Sequence, residues 1–183
     1  MAAGSVLAQF TPADLFRETS VGYSLAPQSA VYLTSNGATR WLSMPKFISA
    51  QLTEWYNGFW FVPAAIALAT GLTHTLILTD DGTSAADLGT AVRIGVTPFN
   101  LSTALSVVDW SLPASKGTET FATVTLGATT GKPVLASIPI VTANLASLAA
   151  GSIYGLRIRR VGDNTADTCP GRILFGGGQV ADT

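Results

Sequence analysis

The chain has 183 residues, of which 48% are hydrophobic and only 11% charged, with a formal net charge of −1. Ordinary soluble domains carry roughly 25% charged residues, so this surface is clothed in Thr, Ser, Ala, Asn and Gly and loses little on being covered by a neighbour. Three lysines, with Arg157, Arg159 and Arg160 as the only basic cluster, exclude a phosphate-gripping face and hence nucleic acid. The single cysteine, Cys169, excludes an intramolecular disulfide and a Cys-based zinc site.

Residues 1–28 show no clean periodicity. The stretch Thr11-Pro12-Ala13-Asp14 suits a capped helical turn, and Pro27 closes the segment. It reads as an N-terminal arm that grips a neighbouring subunit, ahead of one domain over 29–183. The first sixteen residues hold no base, and Gly4, Ser5 and Gln9 break their apolar run, which argues against a secretory signal.

From there the pattern is all-β. Val31–Thr34 and Arg40–Ser43 flank Ser35-Asn36-Gly37-Ala38, and Asn-Gly between apolar runs predicts a hairpin. No side chain from Trp55 to Thr73 is charged, but Asn57, Gly58, Pro63 and Gly71 break the stretch into a turn and strands, so no membrane span is expected. Leu72, His74, Leu76 and Leu78 share one strand face against Thr73, Thr75 and Thr79, and Asp81-Gly82 turns the chain. Val92, Ile94 and Val96 alternate with Arg93, Gly95 and Thr97. Further strands are expected at 119–126, 134–141, 153–161 and 172–180. Pro139 marks its strand as an edge or a bulge. Thr142 to Ala150 is the one tempting helix, ended by Gly151. Tyr154, Leu156 and Ile158 point one way, Arg157 and Arg159 the other, and Gly176-Gly177-Gly178 suggests a flexible or closely packed strand end. Short strands with turns at these intervals predict an antiparallel, jelly-roll-like β-sandwich.

No constellation for catalysis emerges. His74, the only histidine, reads as a buried, hydrogen-bonded strand residue without a nucleophile or orienting carboxylate beside it. Asp80, Asp81 and Asp87 surround a loop that reads as solvated, without the spacing of a calcium site, and Asp163 and Asp167 read as partners of the local backbone. Glu18, Glu54 and Glu119 are scattered, and no nucleophile elbow, phosphate loop or zinc-protease motif occurs. The expectation is a protein that is not an enzyme and carries no metal or cofactor. Trp55, Tyr56, Phe59, Trp60 and Phe61 crowd into seven positions; core packing is the first reading for most of them, and if one face fills the core, the other, with Trp55 or Trp60, would serve as an interface anchor or a sugar-stacking platform.

Residues 148–175 carry a resemblance. The run Leu156-Arg157-Ile158-Arg159-Arg160, then Gly162-Asp163 and Asp167-Thr168, then Gly171 and a returning apolar strand, resembles the closing hairpin of a recurrent jelly-roll-like domain of tailed-phage virion proteins. Thr118–Phe121 and Val134–Val141 extend the likeness over roughly 70–183, while Cys169-Pro170 and the triple glycine depart from it. The resemblance implies a virion component, first of all a decoration or cement protein on the outer capsid surface, made in the host cytoplasm. Its partners would be the major capsid protein or other virion proteins and its own copies, a trimer being favoured. The alternative is a receptor- or glycan-binding module of the tail or its fibres. Phe10, Leu15, Phe16, Trp55, Tyr56 and Trp60 are the expected interface residues. Arg157 and Arg159 with Asp163, Asp167, Thr168 and Gly171 form the expected structural motif, an Arg–Asp contact pinning the turn.

Overall fold

The computed structural model describes residues 6–11, 14, 16–19, 22–25, 28–35, 38–47, 55–62, 68–82, 84–100 and 116–183, the strands between 16 and 46 by their backbone pairing. The strands are β1 (Val6–Phe10), β2 (Phe16–Thr19), β3 (Gly22–Leu25), β4 (Gln28–Ser35), β5 (Ala38–Phe47), β6 (Trp55–Phe61), β7 (Leu72–Asp80), β8 (Ala91–Asn100), β9 (Thr120–Thr125), β10 (Val134–Ile140), β11 (Ile153–Arg160) and β12 (Ile173–Asp182). They build two antiparallel sheets. One runs β10-β7-β12-β5-β4 with β1 also on β12; the other runs β3-β2-β6-β11-β8-β9. From β7 onward the chain crosses repeatedly between the sheets, giving a jelly-roll-like β-sandwich.

Alternation builds the core. In the first sheet, one inward row joins Val180, His74 and Ile138, and the next joins Phe10, Gly178, Leu76 and Ala136. Opposite them, Tyr154, Leu156 and Ile158 of β11 are fully buried with Val96 and Ile94 of β8. Apolar burial of this kind contributes about 25 cal/mol per Å².

The expected strands from β7 onward are present, and Pro139 does lie in an edge strand, because β10 pairs only with β7. The Asn-Gly hairpin closes at Ser35↔Ala38. Three expectations are corrected. The segment 1–28 contributes β1, β2 and β3 to the sandwich: β1 lies along the C-terminal half of β12, while β5 takes its N-terminal end. The stretch 142–150 forms only a 3₁₀ turn at Thr142–Asn144, because Ala146 and Ser147 take φ of 56° and leave the helical region. Leu145 and Leu148 then turn into the core. The triple glycine sits inside β12 rather than at its end. A bulge there puts Gly177 at φ 111°, where an added Cβ would lie 2.6 Å from the Phe10 carbonyl oxygen.

Candidate functional site

The Arg-rich motif is a folding device, and its key residue is Arg160. Alternation puts Arg160 on the same side of β11 as Tyr154, Leu156 and Ile158, so it points into the end of the sandwich. There Nε and Nη2 donate to the two Asp167 oxygens at 2.8 and 2.5 Å, and Nη1 donates to the Gly171 carbonyl at 2.5 Å. Nη2 also donates to the Cys169 carbonyl. Burial lowers the Arg160 pKa, but the hydrogen bond and charge of Asp167 outweigh it and the net direction is upward. Asp167 further accepts from the backbone N–H of Arg93 at 3.0 Å, and Thr168 Oγ1 accepts from the N–H of Ala91 at 3.0 Å, which ties the turn to β8. Gly171 is needed because an added Cβ would meet the buried Asp87 carboxylate at 2.0 Å.

The expected pairing is thus corrected in its partners. Arg159 binds Glu119 through two bonds of 2.6 and 2.8 Å, and Arg157 donates to Asn57 Oδ1 at 3.2 Å. Asp163 is exposed. The acidic loop is also not simply solvated: buried Asp80 accepts from the N–H groups of Gly82 and Gly131 at 2.9 and 2.8 Å, stapling two loops together. Buried Cys169 has its thiol pushed up by desolvation and lies 3.7 Å from Asp87 Oδ1. Among the described residues no group of three or more His, Cys, Asp or Glu side chains is placed to hold a metal.

His74 is buried as expected, with Nε2 bonded to the Tyr154 hydroxyl. Desolvation lowers its pKa to about 4, against a weaker raising effect from the Ile138 backbone, while burial raises that of Tyr154. The aromatic interface residues turn inward. Phe10 is 3% exposed and Tyr56 is fully buried, and half-buried Trp60 packs on Phe10 and Tyr154 with ring centroids 5.0 and 6.5 Å apart. The cause is pairing: β1 on β12 and β6 on β11 place these side chains in inward rows. The side chains of Leu15, Phe16 and Trp55 lie outside the described residues.

Two outward faces remain. Register across the first sheet gives one outward row of Val6, Ala181, Thr73 and Pro139, a second of Gln9, Gln179, Thr75 and Ser137, and a third of Gly177, Ile77 and Leu135. None of these residues is ionisable. They frame a groove of about 420 Å³ lined by Gln9, Thr11, Thr75, Ile77, Leu135 and Gln179, with Gly176 and Gly178 opening its floor beside Phe10. The second sheet faces outward with Asn57, Arg157 and Thr97 in one row and Arg159, Gly95 and Phe121 in the next. Arg157 lies over the Phe99 ring at 5.2 Å and is buried with it, whereas Phe121 at the β9 edge is 37% exposed beneath Arg93, 4.7 Å away. The groove went unseen in the sequence because Gln9 and Gln179 are brought together only by β1–β12 pairing, and no local signal joins them.

No protein-family model matches the chain, and no curated protein matches it. Among solved structures, a xylan-binding module, CBM15, is similar over 98% of both chains with a TM-score of 0.47 and 12% identity. The N-terminal CBM22-1–GH10 modules of an endo-1,4-β-D-xylanase from Clostridium thermocellum, complexed with xylohexaose, align over 98% of this chain with a TM-score of 0.44 and 6% identity. The chain spans 29% of the length of that xylanase structure. No helix of the described residues is long and apolar enough to cross a membrane.

Proposed function

We propose that the chain is a non-catalytic binding module whose working surface is the uncharged outward face of the first sheet, and that its ligand is a neutral polysaccharide. The groove carries this reading. Gln9 and Gln179 sit opposite each other across β1–β12, and each amide offers both a donor and an acceptor to sugar hydroxyls. Ile77 and Leu135 supply an aliphatic wall for the C–H faces of the rings. Its size falls in the range of ordinary ligand sites, and no charge needs to be stripped of water on binding. Among the described residues the lining holds no Asp, Glu, His or Cys that could serve as acid, base or nucleophile, and His74 is committed to the core. Retardation of the chain in native gels containing neutral xylan or β-glucan tests the proposal. Gln179→Ala and Gln9→Ala are expected to weaken binding roughly tenfold each, the loss of one well-placed hydrogen bond. Equal mobility with and without polysaccharide would overturn it.

A second reading, a virion subunit, is favoured by the exposed apolar side chains on and beside the same sheet. Leu135, Val141 and Val6 are 64, 57 and 49% exposed, and Pro139 joins them at the β10 edge. Against a coat protein these would be buried as interface anchors, in a cement protein on the capsid or a tail component. Cosedimentation with empty capsids, without retardation by polysaccharide, would select it, and light scattering would give the expected trimer.

A further inference from the structure

We infer that the opposite face of the sandwich, at the β8–β9 edge, holds a separate site for a carboxylate-bearing saccharide, a uronic acid unit seated on Arg93 and Phe121. The inference stands independently of the groove, on a different sheet. Gly95 lies between Phe121 and Arg159 in one outward row, and its missing side chain leaves room for the Glu119 carboxylate and the Phe121 ring, which an added Cβ would meet at 2.4 and 3.1 Å. Glu119 thereby satisfies Arg159 through two short bonds. Arg93, the next cation along, has no carboxylate within ion-pair distance among the described residues. Its guanidinium stacks over Phe121, and its one side-chain hydrogen bond is a long 3.5 Å contact to Thr123 Oγ1.

A guanidinium that lies over an aromatic ring and meets no carboxylate keeps N–H donors available, and such a fork can grip a carboxylate through two parallel bonds. Among the aromatic residues whose side chains are described, Phe121 is the exposed one. Its uncovered surface suits the C–H face of a pyranose, and the exposed Thr123 and Thr125 beside it offer hydroxyl-matching groups. One cation, one ring and two hydroxyls on the outward side of β8 and β9, between Phe121 and Thr125, form the footprint of one acidic sugar, whose ring stacks on Phe121 while its carboxylate meets Arg93.

The test is native affinity electrophoresis of the full chain in polygalacturonate, in neutral xylan and in poly-glutamate. Polygalacturonate is expected to retard the wild type, and R93Q and F121A are each expected to weaken that retardation about tenfold. R93K, which keeps the charge and loses the fork, should recover only part of it, and the response to neutral xylan should not change in any variant. Melting curves alongside distinguish a lost site from a lost fold. No retardation by polygalacturonate, unchanged retardation of a folded R93Q, or poly-glutamate binding equal to that of polygalacturonate would each overturn the assignment.

Discussion

The two outward faces of this sandwich are built on the same alternation yet hold opposite kinds of side chain. Across β1, β12, β7 and β10 the outward rows run through Thr, Gln, Pro and aliphatic residues without a single ionisable group. Across β11, β8 and β9 the outward rows carry Arg157, Arg159 and Arg93, with Glu119 folded over Gly95 to meet Arg159. A chain with so few charges has not spread them evenly. The outward rows of β1, β12, β7 and β10 hold none of them, so covering that face strips no charge of water. A low charge content is therefore not a uniform property of the surface, and the neutral face is the one suited to being covered.

The comparison is sharpened first at the buried end of the charged sheet. Removing Asp167 strands the Arg160 guanidinium, whose ion pair is only 1–2% exposed. Breaking a buried pair in this way costs about 3–5 kcal/mol, so Asp167→Ala is expected to lower the denaturation midpoint severely, and an unchanged midpoint would contradict the pinned turn.

The neutral sheet has its own sensitive group in His74. Its pKa is about 4 when folded, against 6.5 unperturbed, so the folded state resists protonation and the unfolded state accepts it. The stabilisation this gives is complete above pH 6.5, declines as pH falls, and is gone below about pH 4. Over that window the loss is about 3 kcal/mol. The difference in pH dependence between wild type and His74→Leu, followed by chemical denaturation from pH 8 to 4, isolates it; identical slopes would contradict it. The smallest effect belongs to the open face. Arg159 and Glu119 are 17 and 20% exposed at the side chain, and Glu119→Gln should cost no more than about 1 kcal/mol. A loss as large as that of Asp167→Ala would erase the distinction between folding charges and surface charges.

Much of this architecture is legible in the residues. The alternation of β7 gives Leu72, His74, Leu76 and Leu78 their inward side, and Pro139 marks the edge strand correctly. The same alternation assigns Arg160 inward with Tyr154, Leu156 and Ile158, yet a charged residue at that parity invites the reading that only Arg157 and Arg159 matter. The aromatic cluster is harder, since nothing local decides which parity of 55–61 is inward; the pairing with β11 decides it and buries Tyr56. The groove is the least legible feature. It needs Gln9, Thr75, Leu135 and Gln179 from four strands in register, a long-range outcome of β1 docking on β12 across the bulge at Gly177.

The measurement that bears most directly on the neutral face is polysaccharide retardation of two matched lysine variants, Thr75→Lys in the groove and Thr123→Lys on the charged sheet, with both confirmed to be folded. The account predicts that Thr75→Lys abolishes retardation by neutral xylan while Thr123→Lys leaves it intact. Equal retardation of both variants would contradict it.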